Sequence, residues 1–204
     1  GDGHGGGFPT LRGAKTFAQF QAQQAKLVAT IRGLDADVAA LMELENDGYG
    51  PDSAIAGLVR ALNEGQGKDR HWAFVDAGKG PGDNPIRVGI IYRAARVAPV
   101  GRPAVLEREP FGERSRVPLA QAFRMGRTGR PFVVVANHFK SKGSASNALN
   151  QDPGDGSGNA DYTRQAQADA LLAFTDEVKS DLKLEKVFLV GDFNAYYAEK
   201  PIQK

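Results

Sequence analysis

The stretch that most constrains the fold of this chain is Pro131–Phe139, PFVVVANHF, in which three successive valines run straight into a polar pair. Such a β-branched run fits a strand better than a helix, and this strand delivers His138 to its end. Two other apolar runs stop just as abruptly on polar residues. Asp37–Glu43 (DVAALME) reads as a buried strand leading into the cluster Leu41–Asn46, LMELEN. Lys186–Val190 (KVFLV) reads as a buried strand ending at GDFNA, Gly191–Ala195. Residues two apart on a strand share a face, so Asp192 and Asn194 can point at one site.

The rest of the chain alternates with these strands. Apolar residues at helical spacing predict helices over Thr16–Arg32, with Gly33 as the stop, over Ser53–Asn63 behind Pro51 and Asp52, and over Tyr162–Asp181. Further strands are expected at His71–Val75, Arg87–Arg93 and Pro118–Phe123, with an irregular Pro-, Arg- and Glu-rich excursion over 94–115. Gly143–Asp161 reads as a long loop. Strands alternating with helices, plus adjacent strands in the middle, indicate a layered α/β domain with mixed sheets. At 204 residues the chain suits one well-buried domain, with residues 1–10 as a flexible Gly-rich segment and 11–204 as the folded part. Its apolar runs are far too short to span a bilayer, and without cysteine no redox compartment can be read.

The net charge of +2 hides a segregation: residues 87–130 hold ten arginines, no lysine and three acids. Guanidinium matches phosphate bidentately, so the block permits a polyanionic partner; an arginine-laced solvated surface is the equally simple reading.

Three polar clusters at strand ends suit phosphodiester cleavage. A hard divalent cation takes carboxylate oxygens, which Glu43 can supply. The cation polarises a phosphoryl oxygen, while an imidazole such as that of His138 moves protons near neutrality. A carboxylate and an amide, Asp192 and Asn194, orient water and hydrogen-bond the phosphate. Each cluster alone is weak, since an aspartate in a GD turn is usually structural and a buried histidine is usually a satisfied core residue. Their joint occurrence at separate strand ends strengthens all three.

In this order ADVAALMELEN, RVGIIYR, SRVPLAQAF, ANHFKSKG and GDFNAYYAEKPIQ resemble the endonuclease/exonuclease/phosphatase (DNase I-like) superfamily, and among its members the bacterial extracellular nucleases of the ExeM/NucH type. The resemblance runs from about Arg12 to Gln203. It implies a four-layer α/β (α+β) sandwich of two mixed β-sheets flanked by helices, and hydrolysis of nucleic-acid phosphodiesters with Mg2+, or Mn2+ or Ca2+. It also implies a nucleic-acid substrate, with DNA favoured over RNA but the choice left open, an extracellular or periplasmic setting, a monomer as the default with the oligomeric state left open, and no membrane partner. Residue by residue, Glu43 matches the metal-binding glutamate and His138 the histidine on the scissile phosphate. Asp192 matches the aspartate that orients water or binds metal, and Asn194 the asparagine contacting the phosphate. Arg116 and Tyr92 match positions lining the substrate groove, and Asn137 precedes the histidine and orients it. A lipid phosphodiesterase, a phosphomonoesterase and a non-catalytic binding remnant are the competing readings.

The chain departs from the family pattern in three ways. The loop around Gly143–Arg164 lacks a cysteine pair. The family's first strand, with its asparagine, has no counterpart, and neither do its last strands, with an aspartate and an Asp-His pair that includes the general base. On this pattern the domain is expected to be incomplete at both ends. HGGGF at His4–Phe8 resembles an esterase oxyanion segment, but no G-x-S-x-G accompanies it. Asp152–Asp161 fails the spacing of a calcium loop and is expected to be a mobile loop beside the groove. Tyr196 and Tyr197 can stack on bases, whereas Trp72 is expected to pack.

Overall fold

In the computed structural model the valines of the PFVVVANHF stretch form a central strand covered on both faces, and the other layers are arranged around it. The structure describes residues 8–9, 13–78, 82–112, 115–126, 128–143 and 145–204, so most of the Gly-rich 1–10 segment and of HGGGF lies outside the described residues. The elements in chain order are α1 (Phe17–Leu34), β1 (Val38–Glu45), α2 (Ala54–Asn63), β2 (Trp72–Phe74), β3 (Ile86–Arg93), β4 (Val97–Val105), β5 (Arg116–Met125), β6 (Phe132–His138), α3 (Asp161–Leu182) and β7 (Val187–Asp192). Short 3-10 turns lie at Lys68–Arg70 and Ala148–Asn150.

Two sheets result. The first has order β1-β3-β2 and is wholly antiparallel; the second has order β4-β5-β6-β7, with β6 and β7 parallel, so strand mixing is confined to it. The period-two alternation of the strands sorts their side chains into three apolar layers. Val88 and Ile90 of β3 meet Leu119, Phe123, Val134 and Ala136 between the sheets. Val133 and Val135 point the other way, onto Leu171, Phe174 and Val178 of α3. Ile91 and Trp72 face Ile31 of α1 and Ile55, Leu58 and Leu62 of α2. Burying each such aliphatic side chain is worth about 1.5–3 kcal/mol, which makes the valine run the spine of the sandwich. The order helices, sheet, sheet, helix is the four-layer α/β sandwich of the DNase I-like fold.

Local chemistry sets the boundaries. The Thr16 hydroxyl accepts from Gln19 N at 3.2 Å and starts α1, and the Ser53 hydroxyl accepts from Ala56 N at 3.4 Å and starts α2. Helix α1 does not stop at Gly33; it runs to Leu34 and ends where Asp35 turns left-handed at φ 48°. The 94–115 region is not irregular throughout, because it contains β4. Pro99 and Pro103 sit in this strand without breaking the sheet, since β4 is an edge that needs to donate on one side only. A register shift between Val100 and Ala104, around Gly101 at φ 70°, gives the strand a bulge.

The Asp152–Asp161 segment is pinned from below. Arg164 on α3 is fully buried and donates to Ser157 O and Asn159 O, both at 2.7 Å. Asp155 closes a tight turn by accepting from Ser157 N at 3.0 Å and from its hydroxyl at 2.5 Å. The expected mobile loop is therefore tied to a buried cation. Among the described residues no helix is long and apolar enough to cross a membrane.

Candidate active site

Register brings the polar strand ends together. Val134 and Ala136 face the gap between the sheets, and His138 continues that face at the end of β6. On β7 the inner face carries Val190 and then Asp192. His138 stands opposite Asp192 in the parallel pairing and opposite Arg116 in the antiparallel one. Arg116, His138 and Asp192 thus form one row across three neighbouring strands, each step about 4.8 Å. The His138 Nε2 atom lies 3.8 Å from Asp192 Oδ2. The imidazole is almost wholly buried, whereas the Asp192 side chain is 52% exposed and opens the row to solvent.

The turn after β7 fixes this geometry. Gly191 has φ 142°, and a Cβ there would come within 2.0 Å of Asn137 O, so only glycine lets β7 lie this close to β6. Asp192 O accepts from Phe139 N at 2.9 Å, and its Oδ1 accepts from Asn194 N at 2.8 Å. Asn194, left-handed at φ 48°, turns its amide back to donate to Phe139 O at 3.0 Å. Asparagine tolerates that conformation better than most residues. Arg116 Nη2 donates to the same Phe139 carbonyl. One carbonyl thus joins β5, the end of β6 and the β7 turn. A backbone oxygen leaves no mark in a sequence, so this hub was not readable there.

Glu43 stands at the end of β1, where the register slips between Leu41 and Leu44 and the backbone turns left-handed at φ 60°. Met42 and Gly191 line the same opening of about 510 Å³ between the sheets, so the ends of β1 and β7 are neighbours. Glu43 also lines a larger groove of about 1400 Å³ between α1 and α2, together with Glu45, Asp47, Asp52 and Asp83. Among the described residues no hydrogen bond or ion pair joins Glu43 to the row. Asn46 is tied to Gly82 O and Asn84 O at 3.1 and 3.0 Å, which braces the loop after β1.

Two further residues of the expected set do not face the His138 row. Tyr92 pairs with Val38, at the opposite end of β1 from Glu43, and packs on Phe123 with ring centres 5.3 Å apart. Burial there pushes its phenol above the ordinary tyrosine value. Asn137 alternates away from His138, is fully buried, and donates to Val135 O at 2.8 Å and Val190 O at 3.3 Å, tying β6 to β7.

The arginine block is dispersed as well. Arg87, Arg93 and Arg116 are buried. Arg93 pairs with Asp35 at 2.8 Å, Arg96 with Asp37 at 3.3 Å and Arg108 with Glu177 at 2.5 Å. Among the described residues five of these arginines are therefore engaged within the molecule, although the side chains of Arg96 and Arg108 stay more than half exposed. Arg116 alone among these touches the row.

Oxygen donors are present for a hard cation. Mg2+ needs only one or two carboxylates and keeps water or phosphate in its other positions. Asp192, with its exposed carboxylate, is one such donor, and Glu43 stands near the end of a neighbouring strand. The described residues contain no preassembled group of three acidic or histidine donors.

The profile of the Endonuclease/Exonuclease/phosphatase family matches residues 5–203 of this chain. Several solved structures share the fold. The human Nocturnin catalytic domain with bound sulfate aligns with a TM-score of 0.61 at 16% identity, covering 91% of this chain and 61% of that one. A mannosyl-6-phosphatase of Bacteroides thetaiotaomicron aligns with a TM-score of 0.62 at 16% identity, again covering 91% and 61%. D. rerio TDP2 complexed with single-strand DNA product aligns with a TM-score of 0.55 at 18% identity, covering 88% and 56%. The chain thus spans about 61% of the length of the first of these relatives. The comparison with curated proteins gave no match.

Proposed function

Because this chain belongs to the endonuclease/exonuclease/phosphatase family, whose members are mostly hydrolases of phosphoester bonds, we propose that it acts in the metal-dependent hydrolysis of nucleic-acid phosphodiesters, as an extracellular or periplasmic nuclease preferring DNA. The observation that carries the reading is the row of Arg116, His138 and Asp192 at one open end of the sandwich.

The chemistry follows from that row. A phosphodiester entering at the exposed Asp192 meets the imidazole of His138 behind it and the guanidinium of Arg116 beyond. His138 holds a proton at Nε2 and donates a hydrogen bond to a phosphoryl oxygen as negative charge gathers there. Arg116 adds positive charge to the floor of the site while it holds the Phe139 carbonyl. The Asp192 carboxylate orients an attacking water, and Asn194 fixes that carboxylate through its backbone N–H. A divalent cation held by Asp192 and Glu43 would supply Lewis-acid polarisation of the phosphate. The ExeM/NucH-type likeness, Mg2+ as the metal and the secreted setting belong to this same proposal.

The test is a substrate panel of supercoiled DNA, RNA, sphingomyelin, an inositol phosphate and mannose 6-phosphate, each with Mg2+ and with chelator. DNA cleavage that disappears with chelator, slowed about 10²–10⁴-fold for want of the family's general-base histidine, is the expected result. Release of phosphate from the sugar or inositol ester without DNA cleavage would replace this reading with a phosphomonoesterase, and inertness toward all five would refute it.

A further inference from the structure

The most exposed large apolar side chains among the described residues are consecutive: Tyr196 is 77% and Tyr197 83% exposed. They follow Asn194 by two and three residues, so their Cα atoms lie within about 7 and 10 Å of its Cα. Two adjacent phenol rings left in water beside a polar strand end form an apolar patch of the kind that marks a binding surface.

The backbone beneath the rings is held. Glu199 N donates to Tyr196 O at 2.9 Å, Ile202 N donates to Glu199 O at 3.0 Å, and the Gln203 amide donates to Tyr197 O. Glu199 binds Lys142 Nζ at 2.5 Å and lies 4.0 Å from the buried Arg164. Lys142, from the loop after β6, sits 4.7 Å from the centre of the Tyr196 ring. Its charge thus lies against one aromatic face, while exposed Lys200 stands on the same turn. Rings offered on a braced turn, with ammonium groups beside them, match a ligand that carries both flat π-faces and phosphates.

We propose that Tyr196 and Tyr197 form a stacking platform for the bases of an unpaired nucleic-acid strand whose phosphate lies at the His138–Asp192 row. The inference rests on the nuclease reading and narrows its substrate class. Base faces inside a duplex are already stacked on one another, so the platform is usable only by a single-stranded segment or a frayed end. Every base has a π-face, so the platform is tolerant of sequence. Exposed Lys200 attracts the backbone, while Lys142, paired with Glu199, braces the Tyr196 ring.

The test measures binding of the 204-residue chain by fluorescence anisotropy, in chelator so that no strand is cut. The probes are a thymidine 15-mer, an abasic 15-mer of the same backbone and a 15-base-pair duplex. The wild type should bind the thymidine strand about tenfold more tightly than the abasic strand, and more tightly than the duplex. In Tyr196→Ala/Tyr197→Ala that base preference should vanish, while Tyr196→Phe/Tyr197→Phe retains it. Equal affinity of the wild type for thymidine and abasic strands, binding of neither, a duplex preference, or a base preference that survives the double alanine change would overturn the proposal. Cleavage with Mg2+ is read separately. Base preference without cleavage refutes the nuclease reading and leaves the platform standing; cleavage without base preference does the reverse.

Discussion

His138 Nε2 stands 3.8 Å from the Asp192 carboxylate, although β6 and β7 are joined only through α3 and its flanking loops. The pair sits on the inner face of two parallel strands, in a row completed by Arg116. Replacing His138 by alanine removes the proposed proton donor and leaves the valine spine intact. Metal-dependent phosphodiesterase activity should fall by about 10²–10⁴-fold, with cooperative melting retained. A loss of only twofold in the rate assay would assign the histidine a purely structural role.

Glu43 occupies a left-handed conformation at φ 60° in a strand bulge. Such a conformation costs a residue with a Cβ about 1–2 kcal/mol, a cost glycine escapes at the expense of roughly 0.5–1 kcal/mol of backbone entropy. Glu43→Gly should therefore leave the melting temperature unchanged or slightly higher while abolishing the metal-dependent activity. A clear drop in the melting temperature would mean that the carboxylate serves the fold.

Gly191 is the opposite case. A Cβ there would overlap Asn137 O at 2.0 Å in a backbone region closed to other residues. Gly191→Ala must move β7 away from β6 and separate Asp192 from His138. The expected loss of stability is about 3 kcal/mol or more, with activity lost alongside, both read by thermal melting and the rate assay. A variant as stable as the wild type would show that β7 can slide without penalty.

Tyr49 supplies a pH prediction. Its ring lies 4.0 Å beneath the Arg87 guanidinium, and burial pushes its phenol above the ordinary tyrosine value, with Arg87 opposing. A folded pKa above the unfolded one favours the native state below about 10 and withdraws that support as pH rises through the folded value. Melting temperature should hold up to pH 10 and decline above it, and Tyr49→Phe should flatten part of the decline. An identical alkaline slope in the variant would trace the loss to other groups, Tyr92 foremost.

Much of the architecture was legible because burial on both faces writes itself into composition: VVVA and RVGIIYR are strands where their apolar runs predict. KVFLV is a strand as well, but not the buried one its composition suggests, because β7 is a sheet edge and leaves Phe188 54% exposed. Strand β4 was hidden because an edge strand tolerates Pro99, Pro103 and Arg102, which elsewhere signal loops. The convergence of His138 and Asp192 could be anticipated from polar residues closing apolar strands. The position of Tyr92 could not, since a period-two pattern does not say that Tyr92 pairs with Val38, at the opposite end of β1 from Glu43. Nor could the Phe139 carbonyl that receives Arg116 and Asn194. Composition counts the arginines of 87–130 without showing that Arg87, Arg93 and Arg116 are buried.

The parallel pairing of β6 with β7 has a kinetic meaning. The hydrogen bond from Asn194 to Phe139 O spans 55 residues of chain, and parallel strands can meet only after the intervening helix has folded back over the sheet. Closing so long a segment costs entropy before any contact repays it, so this junction belongs to the slow part of folding. The proposed chemistry of this chain is thus a property of its last assembly step. In a refolding experiment helical signal should return first, and recovery of catalytic rate should follow the slowest phase rather than the largest.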